Sequence, residues 1–151
     1  MSGAAQPASA AAYGLTLQAV AERILPGVHG PGAARSGAGA GLGNALEHRC
    51  FRGLKPLVEA FLGGLDEQAN RLHGREFRAC TAAQQDELLR AAQQGPSPWS
   101  RVLFRSLVEF TLEGLLGDPV HGGNRDFSGW EAAGLRAEDV RAGLCRRTGM
   151  A

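Results

Sequence analysis

The residues of this chain whose chemistry could reach beyond packing are its four histidines, three cysteines and one glycine-rich run. His29, His48, His73 and His121 stand far apart. They show neither the HxxxH nor the HExxH spacing that sets two imidazoles on one helix face for a zinc ion. Cys50, Cys80 and Cys145 are isolated and odd in number, and no CxxC occurs, so zinc-knuckle or iron–sulfur ligation within the chain has no support. They read as small apolar core residues, with a disulfide as the alternative. The serines lack a GxSxG setting, and no pair of carboxylates stands out for acid–base work. Gly37-Ala38-Gly39-Ala40-Gly41-Leu42-Gly43 invites a phosphate-loop reading, but the GxGxxG spacing fails at Leu42, the Walker lysine is missing and no strand precedes it. Asp118, His121 and Asp126 could in principle ligate a metal; the simpler reading makes them turn residues that bond nearby backbone amides. The expectation is a chain with no catalytic, cofactor-binding or metal site of its own; a free-standing helical adaptor, or a small metal-binding protein using the stretch from Asp118 to Trp130, is the alternative.

What remains is a stretch made for shape, Leu116 to Trp130. Asp118-Pro119 starts a turn, because the proline ring fixes its own φ and pushes Asp118 out of the helical region. Gly122-Gly123-Asn124 supplies three successive residues that tolerate φ > 0. Arg125 and Asp126 can pair with each other or with a partner, although an exposed pair contributes only ~0–1 kcal/mol. Trp130 closes the stretch with a large amphipathic ring suited to burial. A long, ordered, Gly-rich loop is expected here. Its structural or partner-facing residues would be Asp118, Pro119, His121, Gly122, Gly123, Asn124, Arg125, Asp126 and Trp130.

Elements that position such a loop must be helical. At 151 residues the chain suits one domain, and Ala, Leu, Gln, Glu and Arg abound while Ile24 is the only Ile. The net charge of +1, with scattered basic residues of which Lys55 alone is Lys, points to no nucleic-acid partner. No apolar run approaches the ~20 residues of a membrane span. Met1 to Ala12 lacks a basic n-region and a leucine-rich h-region, so residues 1–14 are expected to be a disordered lead-in rather than a signal peptide. Leu17, Val20, Ala21, Ile24 and Leu25 fall at helical spacing, with Thr16 able to cap and Pro26-Gly27 as the stop. Pro31 then opens a segment over Gly32 to Arg49. Glycines four apart there fit a helix or broken helix that approaches a neighbour closely, or else plain flexibility.

Leu54, Leu57, Val58, Phe61, Leu62, Leu65, Ala69 and Leu72 make the clearest amphipathic stripe, opened near Pro56 and ended by Gly74. Phe77 anchors a link to the next helix, which Thr81-Ala82-Ala83-Gln84 starts as a capping box. Pro98 and Trp99 open a further helix whose apolar face holds Val102, Leu103, Leu107, Phe110, Thr111 and Leu115. A short turn at Trp130 to Leu135 and a small helix with Val140 and Leu144 follow. The fold class expected is all-α, a compact bundle of about six helices over residues 15–147, with a tail at 148–151.

Four landmarks recur in order: Ala21-Glu22-Arg23-Ile24-Leu25-Pro26, then Pro31-Gly32-Ala33, then Gly64-Leu65-Asp66 with Phe77 and Gln84-Gln85-Asp86-Glu87-Leu88-Leu89, and last Gly117 to Asp126 with Gly129-Trp130. In these the chain, over roughly Leu15 to Leu135, resembles the gluconate 2-dehydrogenase subunit 3 family, the small or gamma subunit of FAD-dependent sugar and polyol dehydrogenase complexes. The resemblance implies a non-catalytic helical partner that binds, stabilises and helps mature or export a large FAD-dependent (GMC-type) dehydrogenase subunit. The FAD would sit in that subunit and not in this chain, and a cytochrome c subunit would be a further partner. It implies that Asp118, Gly122, Gly123, Asn124, Arg125 and Trp130 are structural or partner-facing. It also implies a periplasmic complex, whereas the twin-arginine signal usual in the family is missing before Leu15, which leaves the cytoplasm as the alternative.

Overall fold

Pro and Gly punctuate the chain, and the helices fall between them. The computed structural model describes residues 10–27, 30 and 32–148. Among these residues there are eight α-helices and no strand: α1 Ala10–Ile24, α2 Ala33–Ser36, α3 Ala38–Glu47, α4 Lys55–His73, α5 Ala82–Gln94, α6 Pro98–Leu116, α7 Ser128–Ala132 and α8 Ala137–Thr148. The all-α expectation holds. The number differs from about six because the Gly32–Arg49 segment breaks at Gly37, whose left-handed backbone (φ 71°) ends α2 and begins α3, and because the turn at Trp130 is itself a short helix. Pro31 and His29 lie outside the described residues, as do residues 1–9 of the expected lead-in and 149–151 of the tail. Residues 10–14 of that lead-in belong to α1, so Thr16 is interior to the helix and does not cap it. Its buried hydroxyl instead donates to Asp66 Oδ2 at 3.3 Å.

α4 is bounded as its sequence requires, with proline in its first turn and Gly74 in the left-handed region (φ 67°) at its end. It buries Val58, Phe61, Leu62, Leu65 and Ala69; Leu57 and Leu72, also in the sequence stripe, stay exposed at its edge and in its last turn. Leu17, Val20, Leu42, Leu46, Leu88 and Leu107 complete one core around fully buried Phe77. Each such side chain contributes about 1.5–3 kcal/mol by leaving water. Cys80 lies at the edge of this core as a free thiol, and burial pushes its pKa up.

Side-chain hydrogen bonds fix how the helices meet. Phe77 N–H donates to Asp66 Oδ1 at 2.8 Å and Gln85 Nε2 donates to the Phe77 carbonyl at 2.9 Å, so the short link before α5 is held from both flanking helices. The Thr81–Gln84 capping box is present at the start of α5. Arg23 on α1 makes a two-pronged ion pair with Asp86 on α5, Nε to Oδ1 at 2.8 Å and Nη2 to Oδ2 at 2.9 Å. That hydrogen bonding holds the Asp86 carboxyl below its ordinary value and raises the Arg23 guanidinium above its own.

Candidate functional site

The site begins with two helices that approach unusually closely. α3 crosses α6 where Gly41 meets the backbone of Gly114 and Gly123, so near that a methyl group on Gly41 would lie 3.2 Å from the Gly123 nitrogen. Gly39 similarly rests on Ala21 and Gln18 of α1. The glycine spacing thus serves close approach at Gly41, while Gly39 leaves room for an ordinary contact and Gly43 faces open space.

Beyond α6 the backbone folds back over the helix end. Asp118 accepts the Val120 N–H at 3.0 Å and starts a 3-10 turn, Pro119–His121; a second such turn, Arg125–Phe127, runs directly into α7. The stretch is therefore not one long Gly-rich loop. Only Gly117, Asp118 and Gly122 to Asn124 lie outside helical turns. Fully buried Asn124 ties it together. Its N–H donates to the Gly114 carbonyl at 2.8 Å, its Nδ2 to the Gly117 carbonyl at 2.9 Å, and its Oδ1 accepts the Gly129 N–H at 2.8 Å. Trp130 Nε1 donates to the Leu116 carbonyl at 2.6 Å. The Gly114, Leu116 and Gly117 carbonyls, which a helix C-terminus leaves without intrahelical partners, are here satisfied by the segment that follows.

Positive φ falls on Gly122 (91°), Asn124 (45°), Asp126 (54°) and Phe127 (58°), but not on Gly123. Gly123 is required for a different reason: a methyl group there would overlap the Gly114 carbonyl oxygen. The Phe127 ring stacks on Trp130, with ring centroids 5.4 Å apart, and the Arg141 guanidinium of α8 lies 4.7 Å from its centroid.

Between α3, α6 and the 117–123 segment lies a half-open groove of about 790 Å³. Its floor is backbone at Gly41, Gly114, Gly117 and Gly123, and its walls are Phe51, Phe110, Leu116 and Val120 with Asn44, His48, Glu113, Asp118 and His121. Asn44 Nδ2 donates to the His121 carbonyl at 3.2 Å and joins the two walls; Phe51 meets Phe110 edge-on at 5.1 Å. Val120 is 79% exposed, and Phe51 and Leu116 are also exposed.

The structure divides the residues singled out in the sequence. Asp118, His121 and Gly123 line the groove, with Pro119 opening the first 3-10 turn and Gly122 directly after it. Asn124 and Trp130 are buried beneath and act on the backbone. Arg125 and Asp126 are exposed outside the lining; the Arg125 side chain lies over Gly37, and among the described residues the two form no ion pair with each other. No group of three or more His, Cys, Asp or Glu that could hold a metal occurs among the described residues. The wall formed by Asn44 of α3 with His48 and Phe51 just beyond its end was not legible beforehand, and Phe110 was read only as part of the apolar face of its helix. The one hint was Leu116 and Val120, apolar residues in a stretch otherwise rich in Gly and Asp.

No helix among the described residues is long and apolar enough to cross a membrane. A sequence model of the family described as "Gluconate 2-dehydrogenase subunit 3" matches residues 11–135. No curated protein and no solved structure matches the chain significantly.

Proposed function

Because the chain belongs to the gluconate 2-dehydrogenase subunit 3 family, we propose that it is the non-catalytic small subunit that binds, stabilises and helps mature an FAD-containing dehydrogenase subunit. The observation that carries this is the groove. Its apolar rim of Phe51, Leu116 and Val120 stays uncovered although the chain has a closed core of its own. Apolar surface left open beside a rigid backbone floor favours association, since a partner that covers it removes that area from water. The Asn124 network supports the same reading, because it holds the 117–123 wall in one shape and a preorganised surface loses little entropy on binding.

The mechanism is linkage. A small subunit that binds only the folded large subunit stabilises it by about 2.7 kcal/mol when present at a hundred times its Kd. The oxidation itself, and the flavin that performs it, belong on this reading to the partner. The test is co-expression of this chain with the FAD-containing dehydrogenase subunit of the same organism. A yellow complex that elutes as one species, and a large subunit that loses flavin or precipitates when expressed alone, is the expected result. A large subunit that holds flavin at equal yield without this chain, and never co-elutes with it, would overturn the reading.

A further inference from the structure

The groove's charge is one-sided. Its formally charged lining residues are Glu113 and Asp118, both acidic, and no Lys or Arg lines it among the described residues. Asp118 Oδ1 already accepts one backbone N–H, and Glu113 has no ion pair among the described residues. Lys55, at the start of α4, is engaged with Glu47 at the end of α3. The lining that holds these two carboxylates also holds Phe110, Leu116 and Val120, so a partner group here meets apolar walls and negative charge at once.

Resting on the accessory-subunit reading, we propose that the groove receives a short segment of the large subunit in which an apolar side chain, best an aromatic one, is flanked by Arg or Lys. A groove of about 790 Å³ lies in the size range that holds a drug-sized ligand, roughly 300–1,000 Å³, and so accommodates a few residues rather than a whole helix. The aromatic ring covers the glycine backbone and Phe110. The cation answers Glu113 and Asp118, where an acidic segment would meet like charge beside low-dielectric walls. Electrostatic pairing of this kind chooses the partner more than it tightens the complex.

The probes are two capped tripeptides, Ac-Arg-Phe-Arg-NH2 and Ac-Glu-Phe-Glu-NH2, titrated to about 10 mM into the isotope-labelled full chain, a range that reads millimolar affinities. The expected result is amide shifts at Gly114, Gly117 and Gly123 with the basic peptide and binding about tenfold weaker with the acidic one. Glu113→Lys, at an exposed position, should reverse the preference without changing the melting temperature. Equal binding of both peptides, no shift at the highest concentration, or shifts outside the groove would each overturn the proposal. So would shifts of the same amides that grow with the chain's own concentration, since these would put a second copy in the groove. The two readings fail separately. A flavin-containing complex whose affinity is unchanged by Glu113→Lys retains the accessory role and overturns this inference. Peptide preference without any flavin-containing complex leaves the groove's chemistry standing and removes the accessory role.

Discussion

Two regions of the molecule join their parts by different means. Where α1, α4 and α5 meet, side chains reach across gaps: Arg23 to Asp86, Thr16 and Phe77 N–H to Asp66, Gln85 to the Phe77 carbonyl. Where α3, α6 and the 117–130 segment meet, backbone touches backbone at Gly41, Gly114, Gly123 and Gly129, and one asparagine satisfies the ends. A side-chain clamp can lose one bond and relax, because its partners can turn toward water. A backbone contact has no rotamer to change. The first region should therefore tolerate substitution gradually and the second abruptly.

Gly123→Val tests that contrast most severely. A side chain at Gly123 overlaps the Gly114 carbonyl oxygen and must push the segment off α6. Overpacking of this kind costs about 3 kcal/mol or more, a fall in melting temperature of roughly 6–12 °C for a domain of this size. An unchanged melting temperature would remove the case for a rigid backbone contact. Asn124→Ala should come next. It leaves the Gly117 carbonyl and the Gly129 N–H without their partner in a buried place, and it puts alanine at φ 45°. A loss of about 2–4 kcal/mol is expected in urea unfolding. Asn124→Gly, which relieves the backbone but not the hydrogen bonds, should recover only part of it.

The clamp region predicts a smaller effect that depends on pH. The Asp86 carboxyl is held below its ordinary value by Arg23, so its contribution is present above the unfolded pKa and is lost as pH falls through the lowered folded value. Arg23 stays charged throughout this range. Asp86→Asn should lower stability by about 1 kcal/mol near pH 7, and the difference from the natural chain should shrink below about pH 4. A difference that stays constant from pH 7 to pH 3 would mean that the ion pair contributes nothing through its charge.

This contrast also decides what the sequence could reveal. The clamp region lies on helices whose signals are local: the stripe of α4, proline in its first turn, Gly74 at its end and the Thr81–Gln84 box. The other region depends on meetings between residues far apart in the chain. Glycine at 123 could be read as a shaped backbone, but the reason inferred, positive φ, was not the reason found, because Gly114 becomes its neighbour only when the chain folds back. Positive φ at Asp126 and Phe127 had no glycine to signal it, and the Phe127 ring's contacts with Trp130 and Arg141 form only in the folded chain. The groove is divided among α3, α6 and the 117–123 segment, and no local period marks its wall. The family landmarks did mark one long-range meeting, in the clamp region. Two of them hold Arg23 and Asp86, which the fold brings together as an ion pair.

The smallest effect on stability should accompany the clearest effect on association. Val120 is 79% exposed on the groove's rim, so Val120→Ser should move the melting temperature by no more than a surface change does, within about 0.5 kcal/mol. If the rim is the docking surface, the same change removes an apolar anchor and should weaken the complex with the flavin-containing subunit about fivefold or more, measured by titration calorimetry. Trp99, 72% exposed at the start of α6 and outside the groove lining, is the rival anchor, at the end of that helix away from Val120. Trp99→Ser should leave the affinity unchanged. The reverse outcome, loss with Trp99→Ser and none with Val120→Ser, would move the docking face to the opposite end of α6. The backbone-built wall would then be a device for closing the fold alone, and its rigidity would need no partner to explain it.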